Sequence, residues 1–112
     1  MKIYHNNNCS KSCNALDYLK NNSTEPIEIV EYLNTPPSKL ELIEILKLLN
    51  AKPFDIIRTK EPLFIEKFTD KNYTDEQWIE VLIQNPILIE RPIVVKGNKA
   101  VIARPIEKIL EL

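Results

Sequence analysis

The stretch KIYHNNNCSKSCNALDYLKN, residues 2–21, predicts a strand, a turn and a helix in that order. Residues 2–5 have the pattern of a short strand, the three asparagines are turn formers, and the helix runs from Ser10 to Asn21. Cys9 therefore falls at the helix start, where unpaired backbone N–H groups and the helix dipole favour a negative charge. A thiolate, the reactive form of cysteine, is easier to form there. The same N–H groups can bind an anion, so this layout suits thiol chemistry on an oxyanion or a disulfide.

The middle of the chain is predicted to be mostly helical. Residues 26–30 first alternate as a strand with one buried face. Two helices then begin at capping boxes, which are sequence signals for a helix start, formed by Ser38 with Glu41 and by Thr74 with Gln77. The prolines between these helices divide the intervening stretch into short helical pieces.

The last third of the chain returns to strands. Residues 92–95 and 100–103 are apolar runs on either side of Gly97-Asn98, a pair that suits a tight hairpin turn. Pro105 then starts a final helix, whose predicted apolar face consists of Ile106, Ile109 and Leu110. The element order is β-α-β, a helical insertion, and β-β-α.

This order predicts an α/β fold with a mixed sheet of the thioredoxin-like type. The first two strands are expected to pair in parallel through the crossover helix, and the hairpin adds two antiparallel strands. We expect one domain over residues 1–112, with the helical insertion at about 36–86. Thioredoxin-like folds carry a cis-proline before the third strand, facing the active thiol, and Pro92 occupies that position.

Composition excludes several classes of protein. With 112 residues, 44% of them hydrophobic, and a net charge of −1, the chain offers no electrostatic case for nucleic acid or an anionic membrane. We expect no membrane span and no secretory signal, hence a cytoplasmic protein, and we expect a monomer. The two cysteines then indicate reactive thiols rather than a disulfide framework. No metal site is expected, because His5 is the only histidine.

Lysine greatly outnumbers arginine among the positively charged residues. The chain has twelve lysines and only three arginines, Arg58, Arg91 and Arg104, of which the last two each precede a proline. Arginine differs from lysine in offering a planar fork of donors that binds an oxyanion through two hydrogen bonds. The arginines are therefore either oxyanion-binding residues or scattered surface charges.

Four segments together resemble a known family. They are His5-Asn6-x-x-Cys9, Asn34-Thr35-Pro36-Pro37, the block NPILIERPIVV at residues 85–95, and Arg104-Pro105. These segments are similar, in register over essentially the whole chain, to the glutaredoxin-coupled arsenate reductase (ArsC) family.

The resemblance implies a mechanism. Cys9 attacks arsenate, Arg58, Arg91 and Arg104 bind the oxyanion and its adduct, and His5 helps to hold the thiolate. Glutathione is the co-substrate and glutaredoxin the partner that regenerates the enzyme, with no bound cofactor. His5 could instead be a neutral structural histidine at the end of the strand.

The chain departs from the family pattern at two positions. Asn7 stands where proline is common, and Cys13 stands where arginine is usual. Cys13 is either a small residue packed on the inner side of the helix or a resolving thiol for Cys9 adducts.

Two other functions are open to such a chain. One is an Spx-like regulator that shares the fold and binds RNA polymerase. The other is a related thiol reductase with a different substrate.

Overall fold

The computed structural model describes residues 1–22 and 25–112, which form two compact units. The first, the sheet unit, consists of Met1–Pro36 and Arg91–Leu112. The second, the helical unit, is Pro37–Glu90 and contains most of the predicted insertion.

A four-stranded mixed sheet forms the centre of the sheet unit. Its strands are β1 (Lys2–His5), β2 (Glu28–Glu31), β3 (Ile93–Lys96) and β4 (Lys99–Ile102), in the order β2-β1-β3-β4. Strands β1 and β2 are parallel and are joined through helix α1 (Ser10–Asn22), while β3 is antiparallel to both β1 and β4. The α/β class, the mixed sheet and the element order agree with the prediction.

The hairpin between β3 and β4 turns at Gly97-Asn98, as predicted. Gly97 has a φ of 58° at the first central position of the turn. Glycine adopts this angle without steric cost, because it has no Cβ. The turn sets the register in which Val94 lies opposite Val101.

The core of the sheet unit lies between α1, the sheet and the C-terminal segment. Side chains from all three form one buried cluster: Ile3, Ala15, Leu16, Leu19, Val94, Ala103 and Ile109. Removal of this apolar surface from water stabilises the packing of α1 against β1 and β3. The packing fixes where α1 begins, and therefore where Cys9 lies.

Two predicted details of the sheet unit are wrong. Strand β2 begins at Glu28 rather than Pro26 and shows no buried face, because it lies at the sheet edge with its side chains exposed or half-buried. The C-terminal helix is a 3₁₀ helix, Ile106–Glu111. Its period of three residues aligns Ile106 with Ile109 and turns Leu110 outward, where it is 73% exposed.

The helical unit contains α2 (Lys39–Leu49), α3 (Pro62–Lys67) and α4 (Asp75–Gln84). A short 3₁₀ helix, Pro53–Ile56, lies between α2 and α3, and a second one, Pro86–Leu88, follows α4. Both predicted capping boxes are present, at the starts of α2 and α4.

Aromatic rings surround Trp78 inside this unit. The ring centroids of Tyr73, Phe54 and Phe64 lie 4.9, 5.3 and 6.0 Å from that of Trp78. This cluster gives the helical unit a core of its own. Across residues 1–22 and 25–112, no helix is long and apolar enough to cross a membrane.

Candidate active site

The loop between β1 and α1 places Cys9 by hydrogen bonds of its own backbone. The Cys9 N–H donates to the Asn6 carbonyl at 3.1 Å, and the Asn8 N–H donates to Asn6 Oδ1 at 2.9 Å. Asparagine side chains commonly form such turns with the backbone two residues further on. The Cys9 carbonyl then accepts from the Cys13 N–H at 3.0 Å, which is the first hydrogen bond of α1.

The environment of the Cys9 thiol favours its charged form. The residue is 8% exposed, and burial alone raises the pKa of the thiol. Hydrogen bonds from the backbone N–H groups of Ser12 and Lys11, together with the Arg91 guanidinium, outweigh that burial and lower the pKa below its ordinary value. Cys9 therefore forms a thiolate more readily than a free cysteine does.

Arg104 lies against the same sulfur atom. Its Nη2 is 3.6 Å from Cys9 Sγ, and its Nε donates to the Arg91 carbonyl at 2.6 Å. The second bond joins the two arginines, so that one orients the backbone of the other. Arg104 is held in place by the protein while one end of its fork faces the thiol.

Arg91 precedes Pro92, and the bond between them is cis, the isomer expected from the fold. The Arg104–Pro105 bond, for which the sequence raised no expectation, is also cis. Arg91 Nε and Nη1 are buried and have no hydrogen-bond partner among residues 1–22 and 25–112. A buried donor without a partner costs about 1–3 kcal/mol, and more on a charged group, so these nitrogens favour binding of an anion beside Cys9.

His5, the last residue of β1, is 2% exposed. Its Nδ1 is 2.7 Å from Ser12 Oγ and its Nε2 is 2.6 Å from Asn7 Oδ1. These two bonds occupy both ring nitrogens. Ser12 links the ring to the thiol, because its backbone N–H donates to the Cys9 sulfur. Hydrogen bonds through Ser12 therefore connect the His5 ring to Cys9, while the role of His5 in holding the thiolate stays a prediction.

Sequence reasoning missed Ser12. The residue is fully buried, and its hydroxyl also accepts from the Asn6 N–H at 3.0 Å. The signal was present, because Ser12 continues the helical spacing of the apolar residues Ala15, Leu16 and Leu19. A hydroxyl residue in a buried stripe requires polar partners.

Cys13 is half-buried one turn along α1, and it does not belong to the buried residues of that helix. Its Sγ donates to the Asn7 carbonyl at 3.4 Å. Both cysteines are free thiols. The role of Cys13 as a resolving thiol stays a prediction.

Arg58 belongs to the helical unit. Its Nη1 is 2.9 Å from Glu61 Oε2 and donates to the Ile87 carbonyl at 3.1 Å. The sheet unit thus brings Cys9, His5, Arg91 and Arg104 together, while the place of Arg58 in the site stays a prediction.

A groove of about 600 Å³ opens beside Arg104 in the sheet unit. It is lined by Lys11, Asn14, Ala103, Arg104, Pro105, Ile106 and Glu107. The groove has charges of both signs and shares Arg104 with the thiol. Within the described residues, no group of three or more His, Cys, Asp or Glu side chains could hold a metal ion.

Comparison with known proteins identifies relatives of this chain. A family model described as the ArsC family matches residues 4–112. The chain is 37% identical over 111 residues to an arsenate reductase of Escherichia coli strain K12, covering 98% of this chain and 78% of that protein. It is 44% identical to the uncharacterized protein YfgD of the same strain, covering 100% and 95%. The structure of an arsenate reductase from Vibrio cholerae superposes with a TM-score of 0.90 at 36% identity, covering 99% and 97%.

Proposed function

This chain belongs to the ArsC family, and we propose that it is an arsenate reductase that works through an arsenic adduct on Cys9. The observation that carries the proposal is the pair of arginines at a thiol of lowered pKa. Arg104 Nη2 lies 3.6 Å from the sulfur, and Arg91 has two buried nitrogens with no hydrogen-bond partner among the described residues. The names of its relatives supply the substrate.

The first step is attack of the Cys9 thiolate on arsenate. An S–As bond forms, and one arsenate oxygen takes up protons and leaves as water. Arsenate carries negative charge on several oxygens, which need donors when it binds. The guanidinium groups of Arg91 and Arg104 are fixed donors for those oxygens, while the N–H groups of Lys11 and Ser12 donate to the sulfur. The binding of the oxyanion by Arg58 stays a prediction from the resemblance.

The second step reduces arsenic. Arsenic gains two electrons from two thiols, those of Cys9 and glutathione, which end joined in a mixed disulfide while arsenite leaves. Glutaredoxin then returns Cys9 to the thiol by accepting the glutathione. No bound cofactor is required, because the electrons come from a thiol pool. We propose a cytoplasmic location, because dependence on such a pool supports it.

The groove beside Arg104 offers charged side chains that could bind glutathione. Glutathione carries two carboxylates and one ammonium group, and the groove offers Lys11 and Glu107 near the arginine. Because Arg104 lines the groove and also contacts the Cys9 sulfur, we propose this groove as the glutathione site.

A coupled assay tests the proposal. Consumption of NADPH is followed with arsenate, glutathione, glutaredoxin and glutathione reductase, and in parallel with thioredoxin and thioredoxin reductase. We expect turnover in the first system and none with Cys9→Ser. Absence of arsenate-dependent turnover in both systems would contradict arsenate reduction and would leave a thiol reductase with another substrate.

A further inference from the structure

A line of hydrogen bonds joins a surface carboxylate to the buried histidine. Glu31 is the register partner of His5 in the parallel pair of β2 and β1, at the carboxyl ends of both strands. Asn7 lies two residues beyond the end of β1. Its Nδ2 donates to Glu31 Oε1, and its Oδ1 is 2.6 Å from His5 Nε2. One amide side chain therefore connects the edge strand to the histidine.

The chemistry of these groups determines the direction of every bond. A carboxylate only accepts, so the Asn7 amide must turn its NH₂ towards Glu31 and its oxygen towards His5. That oxygen also only accepts, which places a hydrogen on His5 Nε2. In the neutral ring Nδ1 is then an acceptor, and it receives the hydroxyl hydrogen of Ser12 at 2.7 Å. Ser12 Oγ in turn accepts the Asn6 N–H.

We propose that Asn7 and Glu31 are positioning residues that hold His5 as its Nε2–H tautomer and, through Ser12, fix the first turn of α1 around Cys9. The inference rests on the proposed role of Cys9 as the nucleophile. Ser12 is the connecting residue, because its side chain bonds to His5 while its backbone N–H donates to the Cys9 sulfur. Proline, which the resemblance associates with position 7, could make neither bond of the Asn7 amide.

The other charged groups near the thiol do not orient His5 and Ser12 as these hydrogen bonds do. Arg91 and Arg104 face the Cys9 sulfur directly and act by their charge and their donors. Among the described residues, the Glu31 side chain connects to the site through Asn7. Removing the Asn7 amide therefore leaves both arginines in place and changes only what orients His5 and Ser12.

The test uses the fact that His5 is the only histidine. The ¹⁵N chemical shifts of its ring report the tautomer of that residue in the whole protein, without arsenate. We expect the Nε2–H tautomer in the unaltered chain and a mixture of tautomers in Asn7→Ala and Glu31→Ala. Glu31→Gln keeps an acceptor for Asn7 and should retain the tautomer. Asn8→Ala is the matched control, since the Asn8 side chain has no hydrogen bond within the described residues and only its backbone bonds to Asn6.

The second readout is the rate at which iodoacetamide alkylates Cys9 at neutral pH, measured by peptide mass spectrometry. Loss of one supporting hydrogen bond should lower this rate roughly threefold to tenfold in Asn7→Ala and Glu31→Ala. Glu31→Gln and Asn8→Ala should keep the rate of the unaltered chain. An unchanged tautomer in Asn7→Ala, or a changed tautomer with an unchanged alkylation rate, would overturn the proposal. Neither readout requires arsenate, so failure here is distinct from failure of arsenate reduction.

Discussion

Replacement of Arg91 separates the two effects that this residue is expected to have. Arg91→Lys keeps a positive charge but replaces a planar fork by a single donor. Arg91→Gln removes the charge as well. If Arg91 binds the oxyanion through its two buried nitrogens, both variants should bind arsenate poorly. If its charge lowers the pKa of Cys9, only the glutamine variant should show a clearly higher Cys9 pKa.

The size of the effect follows from the burial of the nitrogens. Arg91 Nε and Nη1 are shielded from water, so loss of their bonds to an anion is not replaced by solvent. A hydrogen bond involving a charged group contributes roughly 1.5–3 kcal/mol. At about 1.4 kcal/mol per factor of ten, kcat/KM for arsenate should fall about tenfold to a hundredfold in Arg91→Lys, and further in Arg91→Gln.

Two assays on the same preparations read these effects. Coupled turnover gives kcat/KM, and alkylation of Cys9 as a function of pH gives the charge effect, with the curve of Arg91→Gln displaced to higher pH. Lys99→Gln is the control, because it removes one positive charge from an exposed position of the sheet unit. Near-full kcat/KM in Arg91→Lys would refute binding of arsenate through the planar guanidinium group of Arg91. An unchanged alkylation curve in Arg91→Gln would refute an effect of the Arg91 charge on the pKa of Cys9.

Three further predictions concern other residues. Iodoacetamide should label Cys9 faster than Cys13 at neutral pH by peptide mapping, because the N–H groups at the helix start face Cys9, and equal rates would contradict the argument from position. The lowered pKa of Cys9 should stabilise the fold above the ordinary thiol pKa, with that contribution lost as the pH falls through the lowered value. Urea unfolding should therefore show a larger stability difference between the unaltered chain and Cys9→Ser at pH 9 than at pH 6, and a constant difference would refute the shift. Lys11→Glu should raise the KM for glutathione with little change in the KM for arsenate, and an equal rise in both would exclude Lys11 from glutathione binding.

The order of the elements could be read from the sequence because its signals are local. Gly97 at a hairpin turn and the capping boxes at Ser38 and Thr74 depend on neighbours a few residues away, and all three are present in the structure. The C-terminal helix type could not be read, because the positions of Ile106 and Ile109 fit a period of 3.0 as well as one of 3.6 residues.

The candidate site, like the fold, could be predicted from the sequence only where its signals are local. Cys9 could be placed at a helix start from local patterning, while the roles of Arg91 and Arg104 came from resemblance. Asn7 was noted only as a departure from the family pattern, and its contact with Glu31 could not be predicted because that bond joins a loop to an edge strand 24 residues away in sequence. That contact depends on the register of β1 with β2, which no local pattern in either strand specifies.

The most direct test of Cys9 as the carrier of the adduct is a single-turnover measurement by intact-protein and peptide mass spectrometry. The protein is mixed with arsenate and glutathione in the absence of glutaredoxin, and arsenite is quantified in the same sample. The account predicts arsenite equimolar with the protein and one glutathione attached to Cys9, with none on Cys13. Release of arsenite with Cys9 unmodified, or glutathione attached to Cys9 equally well without arsenate, would contradict it.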